Sequence, residues 1–161
     1  EPAVAIAITS ADCLPLLLYQ KETMIAVIHL GWQGVYQGLL ENAIEQLRKG
    51  HAKAPIIAAL MPSNKSHNYQ ISQEFYHRFT SHKATNKQFF TKAHWHQGYY
   101  FYDLPGHVIK TLKKLGISQI WSSRIDTYSN PKYCFSYRRN THLNYQGLAT
   151  HLAFIMFNAK A

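Results

Sequence analysis

The sequence predicts a mixed α/β or α+β sandwich, with mixed β-sheets and flanking helices, formed as a single domain by residues 1–161. Short apolar runs of strand length alternate with polar loops along the chain. Between them, apolar residues recur at helical spacing. Hydrophobic residues make up 47% of the chain, which is long enough to bury a core without disulfides or a structural metal. Strands mixed with helices around one core are typical of this fold class.

The first part of the chain predicts three strands. Apolar runs at residues 4–8, 14–19 and 24–29 each have strand length. The polar segment TSADC separates the first two runs, and HLGWQG at residues 29–34 follows the third. Its two glycines, which flank a Trp and a Gln, predict an irregular loop. Loops at strand ends are where sites tend to be built.

Three later segments predict helices. The first runs through VYQGLLENAIEQLRKG, whose apolar side chains share one face, and ends near Gly50. The second spans about residues 72–81. In the third, Asp103 caps a helix with an apolar stripe, and Gly116 ends it.

The remaining apolar segments complete the predicted sheets. They lie at residues 56–61, 117–122, 135–137 and 148–157. In addition, the aromatic-rich segment FFTKAHWHQGYYFYD predicts two strands around a turn near Gln97 and Gly98.

The net charge of +9 comes from 17 Lys and Arg against 8 Asp and Glu. Such a balance attracts phosphates, nucleic acids or acidic substrates. The basic residues are scattered, however, and there is no zinc-finger spacing, ribonucleoprotein signature or sustained basic helix. We therefore expect a small-molecule substrate rather than specific nucleic-acid binding. Every apolar run is also too short to span a bilayer, which argues against a membrane protein.

The two cysteines, Cys13 and Cys134, are too few for a disulfide scaffold. No secretory signal is visible, so we expect a reducing, cytoplasmic location. The sequence has no initiating Met and begins close to an apolar strand, from which we expect that an upstream part is missing.

Cys13, His29 and His67 stand at the ends of apolar runs and converge if the strands lie side by side. Two chemistries fit such a cluster. His29 could draw the proton from Cys13 and leave a thiolate nucleophile. Alternatively, three imidazoles could bind zinc and leave one position open for water, with His77 or His82 as the third ligand. A buried cysteine and hydrogen-bonded loop histidines would explain the same residues without chemistry.

Two further pairs are candidates. His94 and His96 alternate in an apparent strand and point the same way, although an exposed strand face explains them equally well. In FSYRRN, strand alternation would point Arg138 and Arg139 to opposite sides. One guanidinium could then clamp a phosphate while the other braces the sheet, but surface charge would also account for this pair.

Three segments of the chain, TSADCLPLLLY, VIHLGWQGVYQGLLENAI and DTYSNPKYCFSYRRN, resemble the multicopper polyphenol oxidase, or laccase-domain, family. The family patterns are TADCLPVLL, HAGWRG, and CTY followed by FSYRRD, and their order and spacing match over nearly the whole chain. The resemblance implies a mixed sandwich similar to the cytotoxic necrotizing factor deamidases. It also implies a zinc-associated purine nucleoside phosphorylase with adenosine deaminase and methylthioadenosine phosphorylase activity.

The resemblance also implies a metal site. The family's His, Cys and His ligands map onto His29, His67 and His82, with His77 as the reserve for the third position. A His in place of Cys remains a competent zinc ligand. Copper, on which the family's older phenol oxidase label depends, is the lesser expectation because that chemistry needs several copper centres.

The implied roles of the other residues follow from their positions in these motifs. Arg138 or Arg139 would hold phosphate, and Asp12, directly before Cys13, would manage protons in a deamination. Gln33 replaces the family's Arg at a position that could bind phosphate.

Two further positions depart from the family pattern. Asp126 replaces the Cys of CTY, and Gln146-Gly147 replaces a Gly-Arg pair. Four hypotheses therefore stay open. They are a zinc-dependent phosphorylase with deaminase activity, a Cys–His hydrolase or deamidase, a phenol oxidase, and a diverged member without activity.

Overall fold

The computed structural model describes residues 4–20, 23–51, 54–95, 97–147 and 149–157. Within these ranges the protein is a mixed α+β structure with three sheets and flanking helices, which confirms the predicted fold class. The strands are β1 (Ala5–Ser10), β2 (Leu14–Gln20), β3 (Met24–Leu30), β4 (Ile56–Leu60), β5 (Gln70–Ser72), β6 (Phe90–Lys92), β7 (Tyr99–Tyr102), β8 (Gln119–Ser122) and β9 (His151–Met156). The helices are α1 (Trp32–Tyr36), α2 (Leu39–His51), α3 (Gln73–His82), α4 (Leu104–Lys114) and α5 (Tyr137–His142).

The largest sheet has the order β3-β2-β4-β8. Strand β2 runs antiparallel to β3 and β4, and β4 runs parallel to β8. Leu14, Leu16 and Leu18 alternate along β2 and are at most 2% exposed. They share one buried cluster with Ile44 of α2 and Leu112 of α4, so these two helices cover one face of the sheet.

Two smaller sheets complete the structure. Strand β1 pairs antiparallel with β9, and β5, β7 and β6 form a three-stranded antiparallel sheet. Ser72 caps helix α3, because its hydroxyl accepts a hydrogen bond from the Phe75 N–H, and the helix packs against the three-stranded sheet. Their contact is a set of rings that we call the aromatic layer: Phe75, Phe79, Phe90 and Tyr102.

Packing in the aromatic layer is dense. Phe79 is fully buried, stacks on Phe75 at a centroid distance of 4.8 Å, and meets Tyr102 at 5.4 Å. Asp103 caps α4 by accepting a hydrogen bond from the Gly106 N–H, as predicted. The predicted turn near Gly98 joins β6 to β7.

The predicted helix around VYQGLLENAIEQLRKG is wrong in one respect, because it is two helices. Gly38 has φ +76° and lies between α1 and α2, a conformation that breaks the helix and favours glycine. Residues 32–34 of the predicted irregular loop belong to α1. The Trp32 ring lies 5.1 Å from Phe75, and this packing anchors the short helix on α3.

The predicted strand at residues 135–137 is also wrong. The Ser136 hydroxyl accepts a hydrogen bond from the Arg139 N–H and caps α5, so Arg138 and Arg139 are neighbours on a helix. His94 lies beyond the end of β6, and His96 lies outside the described residues, so that candidate pair stays a prediction. None of the helices in the described ranges has the length and apolar character needed to cross a bilayer.

Candidate functional site

Asp12 joins distant parts of the chain at the turn between β1 and β2. Its carboxylate accepts hydrogen bonds from the Thr127 hydroxyl at 2.6 Å, the Ser136 hydroxyl at 2.9 Å and the Arg138 N–H at 2.8 Å. The residue has φ +89°, which strains the backbone of any residue with a side chain. Two of these donors are the N-cap Ser136 and the helical Arg138, so Asp12 positions the start of helix α5, and its expected role with protons stays a prediction.

Arg138 presents its guanidinium to a cavity. Its Nη1 donates to the Gln70 carbonyl at 2.8 Å, and the guanidinium carbon lies 5.1 Å from the centre of the Tyr69 ring. None of the described residues accepts a hydrogen bond from Nε or Nη2 of Arg138. These donors are therefore free for an anion.

Arg139 has a different environment, although it is the next residue. Its Nη1 donates to the Thr127 carbonyl at 2.7 Å and the Tyr128 carbonyl at 2.8 Å, and its Nη2 donates to the Cys134 carbonyl at 2.5 Å. Three main-chain acceptors thus occupy this guanidinium. It braces the segment before α5 rather than a sheet, and the expected phosphate contact of one of the two arginines stays a prediction.

The cavity beside Arg138 measures about 380 Å³ and is lined by Asp12, Cys13, Trp32 and Tyr69, among others. A second cavity of about 550 Å³ adjoins it, because Ala11, Cys13 and Tyr137 line both. The second cavity is also lined by side chains near the end of the chain, including Asn140, Thr141, Tyr145 and Gln146. Both volumes fall in the usual range for small-molecule sites.

Cys13 lies where the two cavities meet. Burial, together with the negative charge of Asp12, raises the pKa of its thiol above the ordinary value. A side chain at position 31 would approach within 3.1 Å of the Cys13 Sγ, so Gly31 leaves room for the thiol. His29 is exposed, and its Nδ1 lies 3.0 Å from the Thr9 carbonyl rather than on the thiol. This geometry does not supply the thiolate that a Cys–His hydrolase needs.

A second carboxylate, Asp126, organises the neighbouring loop. It accepts hydrogen bonds from the Lys65 N–H at 2.9 Å, the Asn68 amide at 2.6 Å, and both the N–H and the hydroxyl of Ser129. Burial alone would raise the pKa of Asp126, but these hydrogen bonds outweigh it and lower the pKa. His67 reaches the same carboxylate, with Nε2 3.5 Å from Oδ2.

These two carboxylates connect three stretches of chain, residues 10–13, 63–68 and 126–139, which we call the loop layer. The Asn64 N–H donates to the Asp12 carbonyl, and this hydrogen bond joins the first stretch to the second. The Thr127 N–H donates to the Ser63 carbonyl and joins the second to the third. Residues from all three stretches, among them Cys13, Asn64 and Arg138, line the cavity of about 380 Å³.

The other expected site residues lie apart from one another. The His82 ring lies 4.8 Å from the Tyr36 ring, beside a different cavity. The Nε2 of His77 lies 3.2 Å from the side-chain amide of Gln73. Gln33 is exposed on α1. The structure thus brings Asp12, Cys13 and Arg138 together but not the histidines.

The residues expected to hold a metal do not form a donor set. His29 faces the Thr9 carbonyl, His67 faces Asp126, and His82 packs against Tyr36. In the part of the chain that the structure describes, no group of three or more His, Cys, Asp or Glu side chains is placed to hold a metal ion. The described side chains therefore do not fit the expected zinc, or copper in its place.

Sequence reasoning missed several residues on which the site depends. Thr127, Ser136 and Tyr69 hold Asp12 or Arg138 in place, but hydroxyl-bearing side chains in loops carry no periodic signal. One signal was available. Ser136 precedes YRR at the N-cap position of a helix, and that pattern predicts a helix start instead of a strand.

Known proteins are similar to this chain in sequence. The family model described as multi-copper polyphenol oxidoreductase laccase matches residues 1–157. A purine nucleoside phosphorylase of Rickettsia conorii is 34% identical over 139 residues, which are 86% of this chain and 57% of that protein. A purine nucleoside phosphorylase of Rickettsia prowazekii is 32% identical and covers 87% of this chain and 58% of its own length. The chain thus spans little more than half the length of these relatives.

Solved structures share the fold. A Neisseria meningitidis protein matches with a TM-score of 0.79 and 25% identity, covering 96% of this chain and 60% of that one. A Bacillus licheniformis protein matches with a TM-score of 0.81 and 22% identity, covering 93% of this chain and 56% of that one.

Proposed function

Because the chain belongs to the multi-copper polyphenol oxidoreductase laccase family, we propose that it takes part in the phosphorolysis of purine nucleosides. Relatives at 34% and 32% identity carry the name purine nucleoside phosphorylase, which supports an enzyme of this type. The observation that carries the proposal is the Arg138 guanidinium, whose Nε and Nη2 meet no acceptor among the described residues, in a cavity that adjoins a larger one.

Arg138 is the proposed phosphate-binding residue. Its Nη1 is held by the Gln70 carbonyl and its planar face lies over Tyr69, so the side chain is fixed before the anion arrives. The remaining N–H donors match the oxygens of a phosphate. Asp12 serves as a positioning residue, because it holds the Arg138 backbone through the N–H at 2.8 Å.

The nucleoside is proposed to occupy the larger of the two adjoining cavities. Tyr137 and Tyr145 line it and are 64% and 66% exposed, so their rings are available to a purine. Stacking on aromatic side chains contributes about 1–3 kcal/mol per base. The net charge of +9 helps to recruit the phosphate.

In phosphorolysis, a phosphate oxygen forms a bond to ribose C1′ as the C1′–N9 bond breaks. The electron pair of that bond leaves with the purine, which takes up a proton, and the products are ribose 1-phosphate and free purine. Burial raises the pKa of both Cys13 and Tyr69, so both groups carry their protons at neutral pH. Cys13 lines both cavities, and we assign it as the proton-bearing group beside the departing base.

Zinc and adenosine deamination, which the family resemblance implies, form no step of this mechanism. The described residues offer no donor set for the metal. Deamination of adenosine is therefore the alternative activity, which the assay described below distinguishes from phosphorolysis. Two free cysteines, Cys13 and Cys134, support a reducing compartment such as the cytoplasm as the place of the reaction.

The test is chromatography of adenosine and inosine after incubation with the purified protein, with and without phosphate. Free purine and ribose 1-phosphate that form only with phosphate would support the proposal. Inosine formed from adenosine in both arms would assign deamination instead. Unchanged nucleosides in protein of verified fold would contradict both activities, and a parallel arm with added zinc would show whether a metal restores either one.

A further inference from the structure

A third cavity, of about 520 Å³, lies across a wall formed by α1 and α3. Trp32 and Phe75 of these helices line the cavity beside Arg138. Tyr36 and Phe79, one turn further along each helix, line the third cavity. The third cavity shares no lining residue with the other two, so it is a separate space that the proposed phosphorolysis does not use.

Positive charge dominates the lining of the third cavity. Lys83, Lys110 and Lys114 contribute to it, against the single carboxylate of Glu41. Across the described residues, none of these lysines forms an ion pair. Lys110 donates to the Gln88 side-chain amide, and no described residue accepts a hydrogen bond from the other two ammonium groups.

Two of these lysines stand at helix ends. Lys83 is the C-cap of α3 and Lys114 is the last residue of α4, positions at which a cation is stabilised by the carbonyl end of its own helix. The helix ends account for each lysine alone. They do not account for the presence of both charges in the lining of one cavity, where no described carboxylate pairs with them.

His107 lies close enough to Lys83 and Lys114 for their charges to affect its pKa. Its ring stacks on Phe89 at 4.0 Å, and its Nδ1 lies 2.9 Å from the Tyr102 hydroxyl. Burial, followed by the charges of Lys83 and Lys114, lowers the pKa of His107 to about 4. The imidazole is thus neutral at pH 7 and adds no charge, but it sits within the field of both ammonium groups.

We propose that the third cavity binds a small phosphate ester with a planar or apolar body. Lysine ammonium groups bind phosphate as point charges, and Lys83 and Lys114 have three donors each and no acceptor among the described residues. The Tyr36 and Phe89 rings supply an apolar wall for the body of the ester. The volume falls in the range of small-ligand sites.

Phenyl phosphate is the probe, because it joins a phosphate to one aromatic ring. It is titrated into the full chain while the histidine side-chain signals are followed by NMR. We expect a saturable shift of the His107 signals and a rise of its pKa, since a bound dianion offsets Lys83 and Lys114. Phenol, which lacks the phosphate, is expected to give no saturable shift.

The variant that removes the charges is Lys83→Gln combined with Lys114→Gln, and it is expected to weaken phenyl phosphate binding about tenfold or more. Its matched control is Lys92→Gln combined with Lys132→Gln, which removes the same charge from the exposed surface and is expected to change the affinity by less than about twofold. In Arg138→Gln, the response of His107 should persist, because that residue lines a different cavity.

Three results would overturn the proposal. They are the absence of a saturable shift at His107, equal binding by the lysine variant and its control, and loss of the His107 response in Arg138→Gln. Equal affinity for inorganic phosphate and phenyl phosphate would overturn the assignment of an ester, because the aromatic wall would then contribute nothing. If the variant with Lys83→Gln and Lys114→Gln still cleaves nucleosides, the third cavity is a site separate from the proposed phosphorylase site.

Discussion

The aromatic layer and the loop layer are held together by different forces. In the aromatic layer, Phe79 has no exposed surface and contacts Phe75, Phe90 and Tyr102 ring to ring. In the loop layer, hydrogen bonds of two carboxylates and a guanidinium join separate loops, and those of Asp12 reach residues more than 100 positions away, such as Thr127. The first arrangement depends on apolar area and packing, and the second on hydrogen bonds between polar groups of distant loops. The difference separates the residues that stabilise the fold from those that place the site.

The largest loss of stability is expected from Phe79→Ala in the aromatic layer. Truncating a fully buried Phe removes apolar contacts and leaves a cavity, which lowers the free energy of unfolding by about 3–5 kcal/mol. Urea denaturation measures this change in the free energy of unfolding. The control is Phe154→Ala, which removes a ring that is 56% exposed and should cost less than about 1 kcal/mol. Similar losses in both variants would contradict the assignment of Phe79 to the core.

The loop layer is tested by comparing the two neighbouring arginines. Arg139→Gln removes the donor to three carbonyls and should lower the free energy of unfolding by about 2–3 kcal/mol. Arg138→Gln loses one such bond, to the Gln70 carbonyl, and should cost about 1 kcal/mol or less. The same denaturation experiment checks both. Equal losses of stability in the two variants would contradict the account in which Arg139 braces the loop layer and Arg138 is left to bind the anion.

The stability of the protein should depend on pH through His107, whose ring lies against Phe79 and Tyr102 of the aromatic layer. Since the pKa of His107 is about 4 in the folded protein and about 6.5 in an unfolded chain, the folded state binds fewer protons at this residue. Its contribution is complete above about pH 6.5 and declines as the pH falls toward 4, by on the order of 3 kcal/mol. In His107→Gln the decline should be shallower. The control is His94→Gln, at an exposed position, and its stability should decline with falling pH as that of the unchanged protein does. A decline in His107→Gln as large as that of the unchanged protein would contradict the assignment of this pH dependence to His107.

The smallest effect is expected at Cys13. Burial raises the pKa of this thiol, so little thiolate is present near neutral pH. Iodoacetamide should alkylate Cys13 no faster than a free cysteine, as followed by mass spectrometry of the modified peptide. Much faster alkylation, with loss of activity, would revive the Cys–His hydrolase hypothesis. A His29→Ala variant would then show whether the imidazole is responsible.

Much of the fold could be predicted from local patterns. The alternating leucines of β2 and the Asp103 cap of α4 appear where periodicity and capping rules put them. The break at Gly38 and the start of α5 at Ser136 were missed. In both places one residue, through a positive φ or a side-chain cap, overrides the pattern of its neighbours.

The candidate site was predictable only in part. The TSADC and SYRRN motifs pointed to Asp12, Cys13 and Arg138, and these residues do line adjoining cavities. The choice between Arg138 and Arg139 depends on which carbonyls lie nearby, and residue spacing does not encode that. Among the described residues the expected metal ligands do not meet, because neither strand order nor helix spacing fixes where loop and helix side chains point.

The central claim, that Arg138 binds phosphate beside the nucleoside, is tested most directly by steady-state kinetics of Arg138→Gln. Arg124→Gln is the control, because it removes an equal charge from an exposed residue outside the cavities. The account predicts that Arg138→Gln lowers kcat/KM for phosphate by about 100-fold, while Arg124→Gln stays within about twofold of the unchanged protein. Equal kcat/KM in the two variants, with both folded, would contradict it.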